Sequence, residues 1–186
     1  MAQNNQLNQN TNTAFTKEDA YRILGMVNTW ITNIDTKVSY LLALTGVLIG
    51  VVLNKGFPSS LKRVSQISKL AELSGGEIIG ASLICLLYIV SFISVIYFIL
   101  AIIATIKNPN NAQSIFFFGS IGNQKFIDYT TKINGMSEQD IIEDLEEQIH
   151  TNSIICSKKA KYYDIGIKFM VINIVLWFIC VVFRLI

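Results

Sequence analysis

Residues 78–106 read IIGASLICLLYIVSFISVIYFILAIIATI, an apolar run without a charged side chain. As an α-helix it would reach about 43 Å, more than the roughly 30 Å of a bilayer's hydrocarbon core. The segment is therefore predicted to cross a membrane with some tilt. Upstream, 38–54 reads VSYLLALTGVLIGVVLN, also uncharged and at the lower length limit for a span. Downstream, 165–186 carries only Lys168 and Arg184, both near its ends, where long basic side chains reach the headgroups. Three transmembrane helices follow: 38–54, 78–106 and 165–186.

Composition agrees. The chain has 186 residues, 52% hydrophobic against 15% charged, with a mean hydropathy of +0.47. That excludes a disordered protein and argues against a soluble globule. Two prolines in the whole chain favour long helices. A net charge of +2 is too small to call for a nucleic-acid partner. Cys85, Cys156 and Cys180 form no CxxC or Cys/His cluster, so neither a disulfide framework nor a zinc site is expected. Residues 1–14 contain AQNNQLNQNTNT, which reads as a disordered Asn/Gln-rich tail, and no cleaved signal is predicted.

The spans continue into helical patterns. From Thr16 and Asp19, which have capping-box spacing, apolar residues recur at Ala20, Ile23, Val27, Ile31, Ile34, Val38 and Leu41. A second pattern starts at Ser137 and runs through Ile142, Leu145, Ile149, Asn152, Cys156, Ala160, Tyr163 and Ile167. The fold class is thus an all-α membrane protein whose first and third spans are extended by cytoplasmic amphipathic helices. The first extension occupies 15–37, and 107–164 forms a cytoplasmic loop and stalk helix after Asn108-Pro109 closes the second span. The external loop, 55–77, has Gly56, Pro58, Gly75 and Gly76 as breakers and a short interfacial helix at Ser60–Leu73. Lys17, Arg22, Lys37 and the lysines of 107–168 outnumber the basic residues on the other side, which places the amino terminus inside.

Catalytic chemistry has no residue set. His150 stands alone on a stalk rich in acids and reads as a solvated helix-face residue. The carboxylates around Glu143–Glu147 point around a helix instead of converging on a metal, and a solvated face accounts for them. No nucleophile elbow, phosphate loop or dinucleotide motif occurs, so the chain is expected not to be an enzyme and to hold no metal or cofactor. The polar residues inside the spans are Ser39, Thr45, Ser82, Ser91, Ser94, Thr105 and Asn173, all uncharged. Ser91 and Ser94 suit bonds between helices in an oligomer or back-bonds to their own carbonyls. Gly46-x-x-x-Gly50 suits close helix approach, or is an ordinary apolar span with chance glycines. Phe116, Phe117 and Phe118, soon after the second span, suit an interfacial anchor or bundle core, or the wall of a small-molecule pocket.

Asp35-Thr36-Lys37 leading into Val38-Ser39-Tyr40-Leu41-Leu42-Ala43-Leu44-Thr45-Gly46 resembles the DxK-x-S-x-LL-x-x-x-G segment of the transmembrane effectors of Pycsar antiphage systems. Phe117-Phe118-Gly119-Ser120-Ile121 is similar to that family's FFGxI segment, and Tyr129 follows where its members tend to carry a tyrosine. The stretch 144–149, then 152–155 with Lys158-Lys159, resembles its closing stalk. KKAKYY at 158–163 offers Lys159 or Lys161 for the basic residue that the family usually follows with an aromatic.

The resemblance implies a small effector of the bacterial inner membrane. It would answer cyclic UMP or cyclic CMP made by a partner cyclase during phage infection, and would compromise that membrane so that infection aborts. Its expected partners are the lipid bilayer, the cyclic pyrimidine nucleotide and further copies of itself, with no nucleic acid. Within that reading, an anionic ligand would seek Lys37, Lys125, Lys158 or Lys159, and a pyrimidine would stack on Phe117, Phe118 or Tyr129. The main alternative is an accessory or structural subunit of a larger membrane complex, its stalks serving as a docking coiled coil. A membrane-bound enzyme or a holin-like protein fits the residues less well.

Overall fold

The structure is a computed structural model and describes residues 15–54, 74–104 and 114–186. The Asn/Gln-rich tail, the short helix expected at Ser60–Leu73, Thr105 and Asn108-Pro109 lie outside the described residues. Among the described residues there are five helices and no strand. They are α1 (Lys17–Asn54), α2 (Gly75–Ile103), α3 (Phe118–Gly122), α4 (Phe126–Gly135) and α5 (Glu138–Val182). Three of them, α1, α2 and α5, are long and apolar enough to cross a membrane.

Each long helix begins at a reciprocal cap, which satisfies amides that the helix itself leaves unpaired. Before α1, the Asp19 amide donates to Thr16 Oγ1 at 3.2 Å, while the Thr16 hydroxyl donates to Asp19 Oδ2 at 2.8 Å. Ser137 and Asp140 repeat the arrangement before α5, at 3.2 and 2.7 Å. The third box places the two glycines inside a helix. Ser74 caps α2 and its amide donates to Glu77 Oε2 at 2.9 Å, so Gly75 and Gly76 form the helix's first turn instead of breaking it. Their low propensity weighs little where the cap already fixes the turn. At its other end α5 closes with the Leu185 amide on Cys180 O (2.8 Å) and the Arg184 amide on Val181 O (3.0 Å). This leaves Arg184 at φ 52°, the left-handed position that glycine prefers.

The chain divides into two units, one drawn from Met1–Thr29 and Ile106–Ile154, the other from Trp30–Thr105 and Ile155–Ile186. The second unit is a three-helix bundle of α1, α2 and α5. One layer of its core is Val38, Phe98, Ala101 and Met170, and another is Val52, Leu87, Val90, Leu176 and Cys180. In this bundle α2 runs antiparallel to α5: Ser94 Oγ donates to Gly166 O at 3.1 Å and Ser91 Oγ lies 2.8 Å from Asn173 Oδ1. The serines thus bond between helices of one chain, and Ser91 also back-bonds to Leu87 O at 2.8 Å.

Close helix approach occurs at Gly166. A Cβ there would fall 2.7 Å from the Phe98 ring, whereas nothing lies within 4 Å of one built on Gly46 or Gly50. The pair Gly46-x-x-x-Gly50 instead faces outward from the bundle, among exposed Tyr40, Leu44, Val47 and Val51.

In the first unit α1 and α5 run parallel. Asn152 Nδ2 donates to Asn28 Oδ1 at 2.9 Å, and Lys17 stands 3.9 Å from Glu138. Ala20, Val27 and Leu145 are its buried apolar positions on the two helices. The exposed Lys17–Glu138 pair contributes about 1 kcal/mol at most.

Candidate functional site

Among the described residues the bundle carries one buried charge, and its surroundings explain how it is tolerated. Lys159 sits on α5 with its side chain only 6% exposed. Its ammonium donates to Asp35 Oδ1 at 2.6 Å, to Ala101 O at 3.0 Å and to Ile102 O at 2.8 Å. An ammonium has three N–H donors, and all three are used. Asp35 comes from α1, while Ala101 and Ile102 lie in the last turn of α2, where carbonyls lack helical N–H donors. One cation therefore ties three helices together and complements the negative end of the α2 dipole. Cys156, one turn earlier, has its thiol pushed up by burial, with Lys159 pulling the other way.

The aromatic segment builds the second cluster, in the other unit. The Phe116 amide donates to Ser114 Oγ at 3.1 Å, a local turn that brings Ile115 against α5. There the Ile115 amide donates to Asp144 Oδ2 at 2.8 Å, and the Tyr129 hydroxyl donates to Ile115 O at 3.4 Å. Both backbone groups of one residue are thus held by side chains. Tyr21 of α1 meets the Phe116 ring edge-on at 5.8 Å, and the Phe117 and Phe118 rings lie 4.9 Å apart. Gly119 is needed beneath them, because a Cβ would fall 2.6 Å from Phe117 Cε1. Phe118 stays 81% exposed, as do Phe126 and Ile127 at 78% and 73%.

The residues named from the sequence therefore divide between the units. Phe117, Phe118, Lys125 and Tyr129 belong to the first, where Phe117 and Lys125 stand at the N-caps of α3 and α4. Lys37, Lys158 and Lys159 belong to the second; the first two are exposed. Of the motif residues in the bundle, Ser39 back-bonds to Asp35 O at 2.8 Å, and Leu41 and Leu42 pack on the Val38 layer. Lys159 has its three donors committed within the bundle, and the Tyr129 hydroxyl holds the Ile115 carbonyl.

Asp144 was hidden in the acidic run read as a solvated face, and no local signal separates it from Glu143 or Glu146. Asn173 and Gly166, by contrast, stand out as a lone amide and a lone glycine in an apolar span. An open groove of about 480 Å³ lies between the starts of α1 and α5, lined by Phe15, Lys17, Glu18, Glu138, Gln139 and Ile142 among others. None of the expected ligand-binding residues lines it. Among the described residues, no cluster of three His, Cys, Asp or Glu side chains is placed to hold a metal ion.

Comparison with known proteins adds the family. The family described as "Pycsar effector protein domain" matches residues 19–186. The chain is also similar to "Pycsar effector protein GmPycTM" of Gulbenkiania mobilis, at 28% identity over 177 residues covering 88% of this chain and 90% of that one. No solved structure matches.

Proposed function

This chain belongs to the Pycsar effector protein family, and from that premise we propose that it is an antiphage membrane effector switched on by cyclic UMP or cyclic CMP from a partner cyclase. The activated protein impairs the inner membrane, and the infected cell stops growing before phage replication finishes. Its amino terminus faces the cytoplasm, where the messenger is made. The family match over nearly the whole chain carries this reading; the three apolar helices support it.

The ligand has one phosphate charge and one pyrimidine ring. In the first unit Lys125 supplies a cation for the phosphate and Phe117 and Phe118 supply ring faces for the base, while Lys37 and Lys158 are cations exposed on the bundle. The bundle's response centres on Lys159. A ligand that draws this ammonium or Asp35 out of their pair releases two carbonyls of α2 and loosens the contact among three helices. Both α1 and α5 contribute residues to each unit, so either helix can carry the change.

Such a ligand has to favour the unlocked state. If the lock is worth about 2–3 kcal/mol, the ligand binds the unlocked form roughly 30- to 150-fold more tightly than the locked one. Several copies then act together in one membrane lesion. Calorimetry on detergent-solubilised protein tests the recognition step: saturable binding of cyclic UMP or cyclic CMP, with none of cyclic AMP, is expected. Equal binding of all three, or of none, refutes it.

A further inference from the structure

Most polar groups facing the inside of the bundle have a partner: Thr45 back-bonds to Leu41 O at 2.8 Å, and Ser94 reaches Gly166 O. Among the described residues Trp177 Nε1 is the exception, a buried donor without a hydrogen-bond partner. An unpaired buried donor costs about 1–3 kcal/mol. The same indole borders a small, partly open cavity with room for water centres of about 10 Å³, whose polar wall is Tyr88, Ser91 and Asn173. That volume is about one water, and a buried water needs two to four polar partners.

Ser91 Oγ lies 2.8 Å from both Leu87 O and Asn173 Oδ1, and a hydroxyl has one hydrogen. When it serves Leu87, the Asn173 amide oxygen can accept from a second donor. One water fits that place, accepting from the indole and donating to the amide.

We propose that this cavity is a water-binding site inside the spanning bundle, in which a single buried water accepts from Trp177 Nε1–H and donates to Asn173 Oδ1, with Ser91 and Tyr88 beside it. The ligand is water alone, and the site exists in the resting protein without nucleotide. It gives the α2–α5 seam a hydrated polar point within an otherwise apolar core.

The test is nuclear magnetic resonance on nucleotide-free, nitrogen-15 tryptophan-labelled protein in lipid nanodiscs. Trp30 and Trp177 are the two tryptophans, so Trp30→Phe leaves a single indole signal. A direct cross-relaxation peak between that N–H proton and a long-lived water is expected, and its loss is expected in Asn173→Leu. A clear indole signal without a water peak overturns the proposal, as does a peak that survives Asn173→Leu unchanged. Should Asn173→Leu not fold, the parent protein decides alone by the presence or absence of the peak. Because no nucleotide is added, failure here leaves the signalling role standing, and failure of nucleotide binding leaves the water site standing.

Discussion

Replacing Lys159 with methionine removes the ammonium and keeps most of the side chain's volume. Three acceptors then lose their donor: Asp35 Oδ1, Ala101 O and Ile102 O. Ala101 is fully buried, so its carbonyl stays dry at a cost of about 1–3 kcal/mol. Ile102 is exposed and contributes little. Removing one partner of a fully buried ion pair costs about 3–5 kcal/mol, but the Asp35 side chain is 39% exposed and its carboxylate partly rehydrates. The expected loss is therefore about 2–3 kcal/mol, a roughly 30- to 150-fold fall in the folded-to-unfolded ratio. Reversible unfolding in mixed micelles, followed by helical circular dichroism, measures it. Asp35→Asn, which leaves a weaker acceptor, costs about 1 kcal/mol, and a double-mutant cycle gives a coupling of about 1–2 kcal/mol. A Lys159→Met protein within about 0.5 kcal/mol of wild type, with no coupling to Asp35, would refute the three-helix tie.

Other predictions follow from single contacts. Gly166→Ala drives a methyl into the Phe98 ring and costs about 1–3 kcal/mol in the same unfolding assay, while Gly46→Ala and Gly50→Ala, which meet open space, do not destabilise. Asp144→Leu strips the Ile115 amide of its acceptor, so hydrogen exchange at that amide accelerates by about 10-fold or more. The Thr16 hydroxyl and amide hold the Asp19 carboxyl below its ordinary 3.8, and Ser137 does the same for Asp140. Lowered folded-state values mean stabilisation that is complete above that ordinary value and lost as pH falls through the folded one. Thr16→Ala and Ser137→Ala should therefore weaken helix starts at neutral pH and lose that difference in acid, as read by amide exchange in the first turns.

The long-range architecture was legible because hydrophobic runs are one-dimensional signals. Ile78–Ile106 needs no partner to be read as a span, and Thr16 with Asp19 announces a helix start from spacing alone. Gly75 and Gly76 misled because a glycine pair usually interrupts a helix; the Ser74–Glu77 box was present in the sequence, but the glycines between its members masked it. Tertiary choices were not legible. Nothing local distinguishes Lys159 from Lys158 or Lys161, yet one is buried on three acceptors and the others are exposed, a result of which face of α5 meets α2. Asp144 likewise differs from its acidic neighbours only by standing opposite the Ile115 amide.

The most direct test of the account is leakage from liposomes holding the purified chain, with dye release followed as nucleotide is added to the face bearing the amino terminus. Release with cyclic UMP or cyclic CMP, and none with cyclic AMP or with empty liposomes, is the predicted result. Correctly inserted protein that binds a cyclic pyrimidine nucleotide yet leaves the vesicles sealed would contradict it.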